Sequence, residues 1–260
     1  MNLSEYTSDE MMTVSAARML ENGAICFVGI GLPSTAANLA RLTHAPDVIL
    51  IYESGPIGAK PNLLPLSIGD GDLAETADTV VSTPEVFRYW LQGGRVDVGF
   101  LGAAQIDRFA NINTTVIGDY TSPTVRLPGA GGAPEISSSA GQVLVIVRQS
   151  RQTFVEELDF ITSVGFLRGG DSRRAAGLRG DGPSAVITDL CILRPSPPEH
   201  ELEVVSIHPG ISREQIEDST SWNLRFASDC RETAPPTASE LAVLRDLHQR
   251  TRAAHAGECR

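Results

Sequence analysis

The clearest pattern along the chain is a set of short apolar runs, among them residues 24–28, 48–52 and 143–147. Unbroken runs of this length, rich in β-branched residues, are typical of strands buried on both faces of a parallel sheet. Between the first two runs, Pro33 suits the first turn of a helix that continues to about Leu42. These segments therefore predict a β-α-β unit, whose crossover should be right-handed.

The rest of the chain continues this alternation and then becomes richer in strands. Further helices are predicted where capping residues or prolines precede periodic segments, at residues 7–20, 84–91 and 212–218. Further strands are predicted at residues 79–81, 96–101, 111–117, 185–193 and 202–207, the last two as a possible hairpin. The pattern predicts a three-layer α/β fold with an open, mostly parallel sheet and a β-rich C-terminal part.

A proline pair, Pro235 and Pro236, precedes a last amphipathic segment. The spacing predicts a helix from Ser239 to about Ala254, with its leucines and a histidine on one face. We therefore expect a main domain over residues 1–230. Residues 231–260 should form a C-terminal helical appendage that packs on the body or on a partner.

Composition and charge narrow the class of protein. The 260 residues have a net charge of −11, and 42 % are hydrophobic but only 5 % aromatic, which indicates a globular chain with an aliphatic core. Nucleic acid is an unlikely partner because phosphate binding requires a basic surface. No membrane partner is expected, since no run reaches the ~18–20 apolar residues of a span. Cys26 and Cys191 lie in apolar runs as reduced core residues, so a cytoplasmic location is predicted.

Glu53 directly follows the apolar run at residues 48–52 and precedes Ser-Gly-Pro at residues 54–56. An acid at the carboxyl end of a buried strand lies where open α/β sheets bind ligands. The alternative is a loop acid that caps a helix or forms an ion pair. The spacing by itself leaves both possibilities open.

A second unusual segment is Pro-Gly-Ala-Gly-Gly-Ala-Pro at residues 128–134. Consecutive glycines let a backbone approach a ligand and direct several N–H groups toward one point, which suits an anion or oxyanion. The flanking prolines favour a rigid loop over a flexible surface turn. The candidate binding residues of this segment are Gly129, Ala130, Gly131 and Gly132.

Other motifs are weaker. Gly29-x-Gly31-x-x-Ser34 nearly matches a dinucleotide fingerprint, but a tight strand-to-helix turn explains it better. The five histidines show no metal-binding spacing, so no metal site is predicted. The arginines of the polar segment 168–183 could meet a ligand's phosphates or could lie in a solvated loop.

Five segments, in order, resemble the β subunit of class I coenzyme A transferases, and the likeness runs from about residue 10 to 228. They are Val-Gly-Ile-Gly-Leu-Pro at 28–33, Tyr-Glu-Ser-Gly at 52–55, Leu-Pro-Gly-Ala-Gly-Gly-Ala at 127–133, Val-Ile-Thr-Asp-Leu at 186–190 and His-Pro-Gly-Ile-Ser-Arg-Glu-Gln-Ile at 208–216. The resemblance implies the transferase type of α/β fold, an α subunit as obligate partner and an acyl-CoA substrate. Coenzyme A would enter as part of that substrate, with no other bound cofactor.

The resemblance also implies roles for particular residues. Glu53 matches the glutamate that attacks the acyl-CoA carbonyl in transferases, and Gly131 and Gly132 match the loop whose amides face the thioester oxygen. Three segments look most like the steroid-degradation branch, the small subunit of an actinobacterial cholesterol ring-cleaving hydrolase. These are Tyr-Glu-Ser-Gly-Pro-Ile-Gly at 52–58, Phe-Arg-Tyr-Trp-Leu-Gln-Gly-Gly at 87–94 and Gly-Gly-Asp-Ser-Arg-Arg at 169–174.

The first functional hypothesis is therefore a hydrolase subunit that opens the last ring of a cyclic β-keto acyl-CoA, with Glu53 as base or nucleophile. The alternative is a true CoA-transferase β subunit that moves CoA between carboxylic acids through a glutamyl-CoA thioester. A third possibility is a structural subunit whose partner performs the chemistry.

Overall fold

The computed structural model describes residues 6–258, which group into two compact units. Unit 1 contains the described residues up to Trp90 together with those from Pro236 onward. Unit 2 contains Leu91–Pro235. The predicted division into residues 1–230 and 231–260 stays a prediction.

Helices and strands alternate along much of the chain. Within residues 6–258 the helices are α1 (Ser8–Ala17), α2 (Leu32–Leu42), α3 (Gly71–Glu75), α4 (Thr83–Glu85, followed by a π-helical segment Val86–Leu91), α5 (Ala133–Ser139), α6 (Ser172–Ala175), α7 (Arg213–Asp218) and α8 (Ala238–Glu258). The strands are β1 (Ile25–Phe27), β2 (Ile49–Ile51), β3 (Pro56–Ile57), β4 (Thr79–Val80), β5 (Val98–Leu101), β6 (Gln105–Ile106), β7 (Ile112–Asn113), β8 (Val116–Gly118), β9 (Pro123–Arg126), β10 (Gln142–Ile146), β11 (Pro183–Ile187), β12 (Cys191–Ser196), β13 (Glu201–Ile207) and β14 (Arg225–Glu232).

The strands of unit 1 lie in the order β1-β2-β3-β4. β1 and β2 are parallel, with Cys26 opposite Leu50 in the register, and both of these side chains are fully buried. α2 connects the two strands, which confirms the predicted order and direction of the β-α-β unit. β3 and β4 continue the sheet in antiparallel pairing.

Helix α1 begins at the predicted capping box. Thr7 Oγ1 accepts a hydrogen bond from the N–H of Glu10 (3.2 Å), and Glu10 Oε2 accepts one from the N–H of Thr7 (2.8 Å). Each bond satisfies a donor that the first helical turn leaves without a backbone partner. The helix is shorter than predicted, because α1 ends at Ala17.

The last helix, α8, packs against α1 and α2 of unit 1. Arg18 donates to both carboxylate oxygens of Glu240 at 2.7 Å. Arg245 binds Glu10 in the same way, with distances of 2.6 and 3.1 Å. Paired bonds of this kind fix the relative orientation of the two helices more strictly than a single contact would.

The principal sheet strands of unit 2 lie in the order β14-β13-β12-β11-β10-β5. β5, β10 and β11 are parallel, β12 and β13 form an antiparallel hairpin, and β14 runs parallel to β13. The predicted α/β architecture with a β-rich C-terminal part is confirmed. Outside this sheet, β6 pairs with β7 and β8 pairs with β9.

One predicted strand, residues 185–193, is wrong as a single element because a turn divides it into β11 and β12. The hydroxyl of Thr188 accepts hydrogen bonds from the N–H groups of Leu190 (3.0 Å) and Cys191 (2.9 Å). A local side-chain acceptor of this kind competes with the sheet for backbone donors and reverses the chain. The apolar pattern on both sides of the turn concealed it.

Cys26 and Cys191 are buried thiols, as predicted. Burial raises the pKa of Cys191 to about 12, so this thiol is protonated and unreactive near neutral pH. Cys259 lies outside the described residues. Among residues 6–258, no helix combines the length and apolar character that crossing a membrane would require.

The pair between Arg18 and Glu240 predicts an acid-dependent loss of stability in unit 1. Burial raises the pKa of Glu240, but hydrogen bonds from Arg18 and Thr237 outweigh burial and lower the pKa to about 2. A depressed carboxyl pKa contributes stability that is complete above the unfolded value of 4.5 and is lost as pH falls toward 2.

We therefore expect Glu240→Gln to lower the unfolding temperature at pH 7, with a smaller difference from wild type at pH 3. Thermal unfolding followed by circular dichroism at both pH values measures this. Glu75→Gln, an exposed change elsewhere in unit 1, is the control. An Arg18–Glu240 contribution that does not depend on pH would contradict the assignment.

Candidate functional site

Glu53 lies in a tight turn immediately after β2. The N–H of Gly55 donates to the carbonyl of Tyr52 at 2.9 Å, and the N–H of Tyr52 donates to Pro56 O at 3.1 Å. The side chain of Glu53 is partly exposed, and its carboxylate has no hydrogen-bond or ion-pair partner among residues 6–258. The structure thus places Glu53 at the carboxyl end of a buried strand, as predicted, and leaves its oxygens available.

Tyr52 fixes the chain on the N-terminal side of Glu53. Its side chain is 0 % exposed, and its hydroxyl lies 3.0 Å from Ser34 Oγ and 3.5 Å from Asn38 Nδ2. Burial raises the pKa of Tyr52, so its phenol is neutral and takes part in the network as a hydroxyl. Arg41 donates to Asn38 Oδ1 (3.3 and 3.2 Å), which completes the support on α2.

The glycine turn at residues 29–31 has a clear structural role beside this network. Gly31 has a φ of +86° and precedes the first residue of α2, which bears Ser34 and Asn38. A left-handed backbone of this kind favours glycine because other residues meet their own Cβ atom. The segment is a strand-to-helix turn, which is how the sequence pattern is best explained.

Gly55 fixes the chain on the other side of Glu53. Its φ is +123°, and a Cβ atom added there would lie inside van der Waals contact with the carbonyl oxygen of Val81. The N–H of Val81 in turn donates to Gly55 O at 3.1 Å. Only glycine fits this combination of dihedral angle and close backbone approach.

The glycine loop, residues 129–132, lies in unit 2 immediately before α5. Its two ends are fixed: the N–H of Gly129 donates to Thr114 O (2.9 Å), and Ala130 O accepts from the N–H of Ala133 (3.0 Å). No acceptor among residues 6–258 binds the N–H groups of Ala130, Gly131 and Gly132. Three successive backbone donors are therefore available in this loop.

The dihedral angles of the loop support the same interpretation. Gly131 has a φ of +49° and Gly132 a φ of −82°. Consecutive residues of opposite handedness direct their N–H groups toward one side, as in the nests that bind anions. The predicted binding residues thus form one turn with exposed donors, although whether they bind substrate stays a prediction.

The predicted polar loop at 168–183 is wrong for Arg173. Its side chain is only 6 % exposed, and the guanidinium donates to the carbonyls of Gly180 (2.8 Å), Gly165 (2.9 Å) and Ser137 (2.7 Å). These bonds use its donors within unit 2. Arg173 therefore holds three backbone segments together and is not available for a ligand's phosphates.

Sequence reasoning missed several supporting residues. Ser34 and Asn38 occur at the (i, i+4) spacing of one helical face, but no local pattern indicated that this face meets the phenol of Tyr52. Thr114 gave no signal at all, although it binds the glycine loop. Within residues 6–258, no group of three or more acidic, histidine or cysteine side chains is arranged to hold a metal ion.

Comparison with known proteins identifies the type of chain. Residues 9–219 match the family model described as coenzyme A transferase. The B-type subunit of 3-oxoadipate CoA-transferase from Pseudomonas knackmussii is 68 % identical over 253 residues, covering 97 % of each chain. The crystal structure of glutaconate CoA-transferase from Acidaminococcus fermentans superposes with a TM-score of 0.88 at 30 % identity, covering 94 % of this chain and 95 % of that one. The predicted fold type and family are confirmed, and the relatives' subunit type agrees with the predicted β subunit.

The prediction of a ring-cleaving hydrolase of steroid degradation is wrong. The cholesterol ring-cleaving hydrolase IpdB subunit of Mycobacterium tuberculosis is only 25 % identical over 253 residues, covering 92 % of this chain and 93 % of that protein. The relative at 68 % identity is a CoA-transferase subunit.

The structure explains why the short motifs misled. Gly55 allows the turn beside Val81, Gly94 has a φ of +68° at the end of the π-helical segment, and Arg173 joins three backbone segments. These residues meet requirements of the fold, so they are suited to either reaction.

The position of Gly55 yields a test of the turn that bears Glu53. We expect Gly55→Ala to destabilise the protein by about 1–3 kcal/mol, because it forces a strained φ and a clash with Val81 O. Chemical denaturation measures the free energy of unfolding. Gly71→Ala is the matched control, since a Cβ there meets nothing within 4 Å and no positive φ is required. Equal stability of the two variants would show that the close approach to Val81 is absent.

Proposed function

The chain belongs to the coenzyme A transferase family, and from this premise we propose that it is the β subunit of an enzyme that moves coenzyme A between carboxylic acids. The observation on which the proposal chiefly rests is the 68 % identity, over nearly the whole of both chains, to the B-type subunit of 3-oxoadipate CoA-transferase. We propose a 3-oxo dicarboxylic acid of the 3-oxoadipate type as the acid that receives coenzyme A.

The proposed enzyme also contains an α subunit, because the relatives are described as one of two kinds of subunit. Coenzyme A enters as part of the thioester substrate, and the proposed reaction requires no other cofactor. Placement of the complex in a reducing cytoplasm stays a prediction.

Glu53 is the proposed nucleophile. In the first half-reaction, a carboxylate oxygen of Glu53 attacks the carbonyl carbon of the donor acyl-CoA, and the CoA thiolate leaves. The thiolate then attacks the Glu53 carbonyl of the resulting anhydride, which releases the donor acid and forms a glutamyl-CoA thioester. The acceptor acid reverses the same two steps, so no proton or water is consumed overall. Covalent catalysis of this kind divides one difficult transfer into easier steps.

Two features of the turn support this role. The carboxylate has no partner among the described residues, so no bond must be broken before it attacks. The residues on both sides, Tyr52 and Gly55, are buried and held by hydrogen bonds. A nucleophile on a rigid support loses little conformational entropy when it reaches the reacting geometry.

The glycine loop is the proposed donor of hydrogen bonds to the oxyanion that forms during acyl transfer. The N–H groups of Ala130, Gly131 and Gly132 are suited to this because they have no partner among the described residues and need no reorientation away from an existing bond. Preorganised amide donors of this kind stabilise developing negative charge.

The reaction class can be tested with the purified complex of this chain and its α subunit. We expect CoA transfer from succinyl-CoA to 3-oxoadipate, measured as formation of the new thioester by liquid chromatography and mass spectrometry. Without an acceptor acid, free CoA should not accumulate at a comparable rate. Rapid CoA release without acceptor, or no transfer to any dicarboxylate, would contradict the proposal.

The role of Glu53 can be tested separately. We expect Glu53→Gln in the complex to lower kcat by roughly 10³-fold or more, because the amide is a poor nucleophile. Borohydride added with acyl-CoA should inactivate the wild-type complex by reducing the glutamyl thioester, and peptide mass spectrometry should locate the change at Glu53. Glu75→Gln, exposed and in the same unit, should retain wild-type turnover. Near-normal turnover of Glu53→Gln would assign the chemistry to the partner subunit.

A further inference from the structure

The β8–β9 hairpin extends its hydrogen bonding into the glycine loop. Val116 pairs with Arg126 in the hairpin, and the next bond joins the N–H of Leu127 to Thr115 O at 3.0 Å. Pro128 has no N–H to donate, and the ladder resumes where the N–H of Gly129 donates to Thr114 O at 2.9 Å. The start of the loop is therefore fixed as a continuation of the hairpin.

Thr114 also binds the other polar group of Gly129. Its hydroxyl donates to the carbonyl oxygen of Gly129 at 2.9 Å, so one residue holds both the N–H and the C=O of Gly129. Gly129 has a φ of +107°, a conformation with few intrinsic restraints in glycine. Without the hydroxyl, the peptide that follows Gly129 would be free to rotate.

The orientation of that carbonyl determines the direction of the next donor. The peptide bond is planar and trans, so the N–H of Ala130 points opposite to the C=O of Gly129. By holding the carbonyl, the Thr114 hydroxyl sets the direction of the Ala130 N–H. That N–H is one of the three donors without a partner among the described residues.

Thr114 is itself held by a second threonine. Its N–H donates to Thr162 Oγ1 at 2.9 Å, and Thr162 Oγ1 also lies 2.7 Å from Thr115 Oγ1. The N–H of Thr162 donates to Ile112 O at 2.8 Å. These bonds limit movement of the Thr114 backbone and therefore of its hydroxyl.

We propose that Thr114 is a positioning residue for catalysis: its hydroxyl orients the Gly129–Ala130 peptide so that the Ala130 N–H faces the oxyanion of acyl transfer. This inference rests on the proposed function of the glycine loop. A misdirected donor affects the charged transition state more than the bound ground state, so kcat should change more than KM.

The experiment compares Thr114→Val, Thr114→Ser and Thr153→Val in the complex with the α subunit. Valine keeps the shape of threonine but removes the donor, whereas serine keeps the hydroxyl. Thr153 is the matched control, because it is also a partly exposed threonine of unit 2, with its hydroxyl 3.0 Å from Ser150 Oγ. Steady-state kinetics of CoA transfer and hydrogen exchange of residues 127–133 are measured for each.

For Thr114→Val we expect kcat to fall roughly 10- to 100-fold with KM changed by less than about threefold, as small displacements of a catalytic group produce. Thr114→Ser should recover kcat to within about threefold of wild type, and Thr153→Val should match wild type. Hydrogen exchange of residues 127–133 should be faster in Thr114→Val than in Thr153→Val.

Several results would overturn the inference. They are a kcat of Thr114→Val equal to that of Thr153→Val, an equal loss in Thr114→Ser and Thr114→Val, an effect on KM alone, or unchanged exchange in the loop. A wild-type complex that transfers no CoA would instead contradict the proposed function and the catalytic part of this inference. The exchange measurement would still decide whether Thr114 holds the loop.

Discussion

The fold must hold one carboxylate in an accessible position while burying the chain on both sides of it. Tyr52 is 0 % exposed and its hydroxyl bonds to Ser34, whereas Gly55 is packed against the backbone of Val81. Between them, Glu53 is partly exposed and has no partner among the described residues. The chemistry proposed for this chain depends on that contrast, since a rigid support determines where the carboxylate can act.

The glycine loop follows the same principle with backbone groups in place of a side chain. A hairpin fixes its start through Thr114, and the turn from Ala130 to Ala133 fixes its end. The amides between these points have no acceptor among the described residues. Donors that are already oriented stabilise charge without the cost of reorganisation at the moment of reaction, which favours an oxyanion site over a flexible surface turn.

The mistaken reaction class shows how fold requirements can resemble functional signatures. Gly55 and Gly94 both have positive φ values, and Arg173 binds three backbone carbonyls, so each has a structural reason to be present. A transferase and a hydrolase built on one fold share those reasons. Identity of 68 % across nearly the full length distinguishes the two where the short motifs did not.

By itself the sequence determined the features that depend on neighbouring residues: the buried strand before Glu53, the capping box of α1 and the glycine turn before α5. Tertiary structure alone decided that Tyr52 meets Ser34, and that the hydroxyl of Thr114 holds Gly129. The physical reason is sequence separation. Periodicity, caps and turns arise within a few residues, whereas these contacts join segments 15 or more positions apart and leave no local pattern.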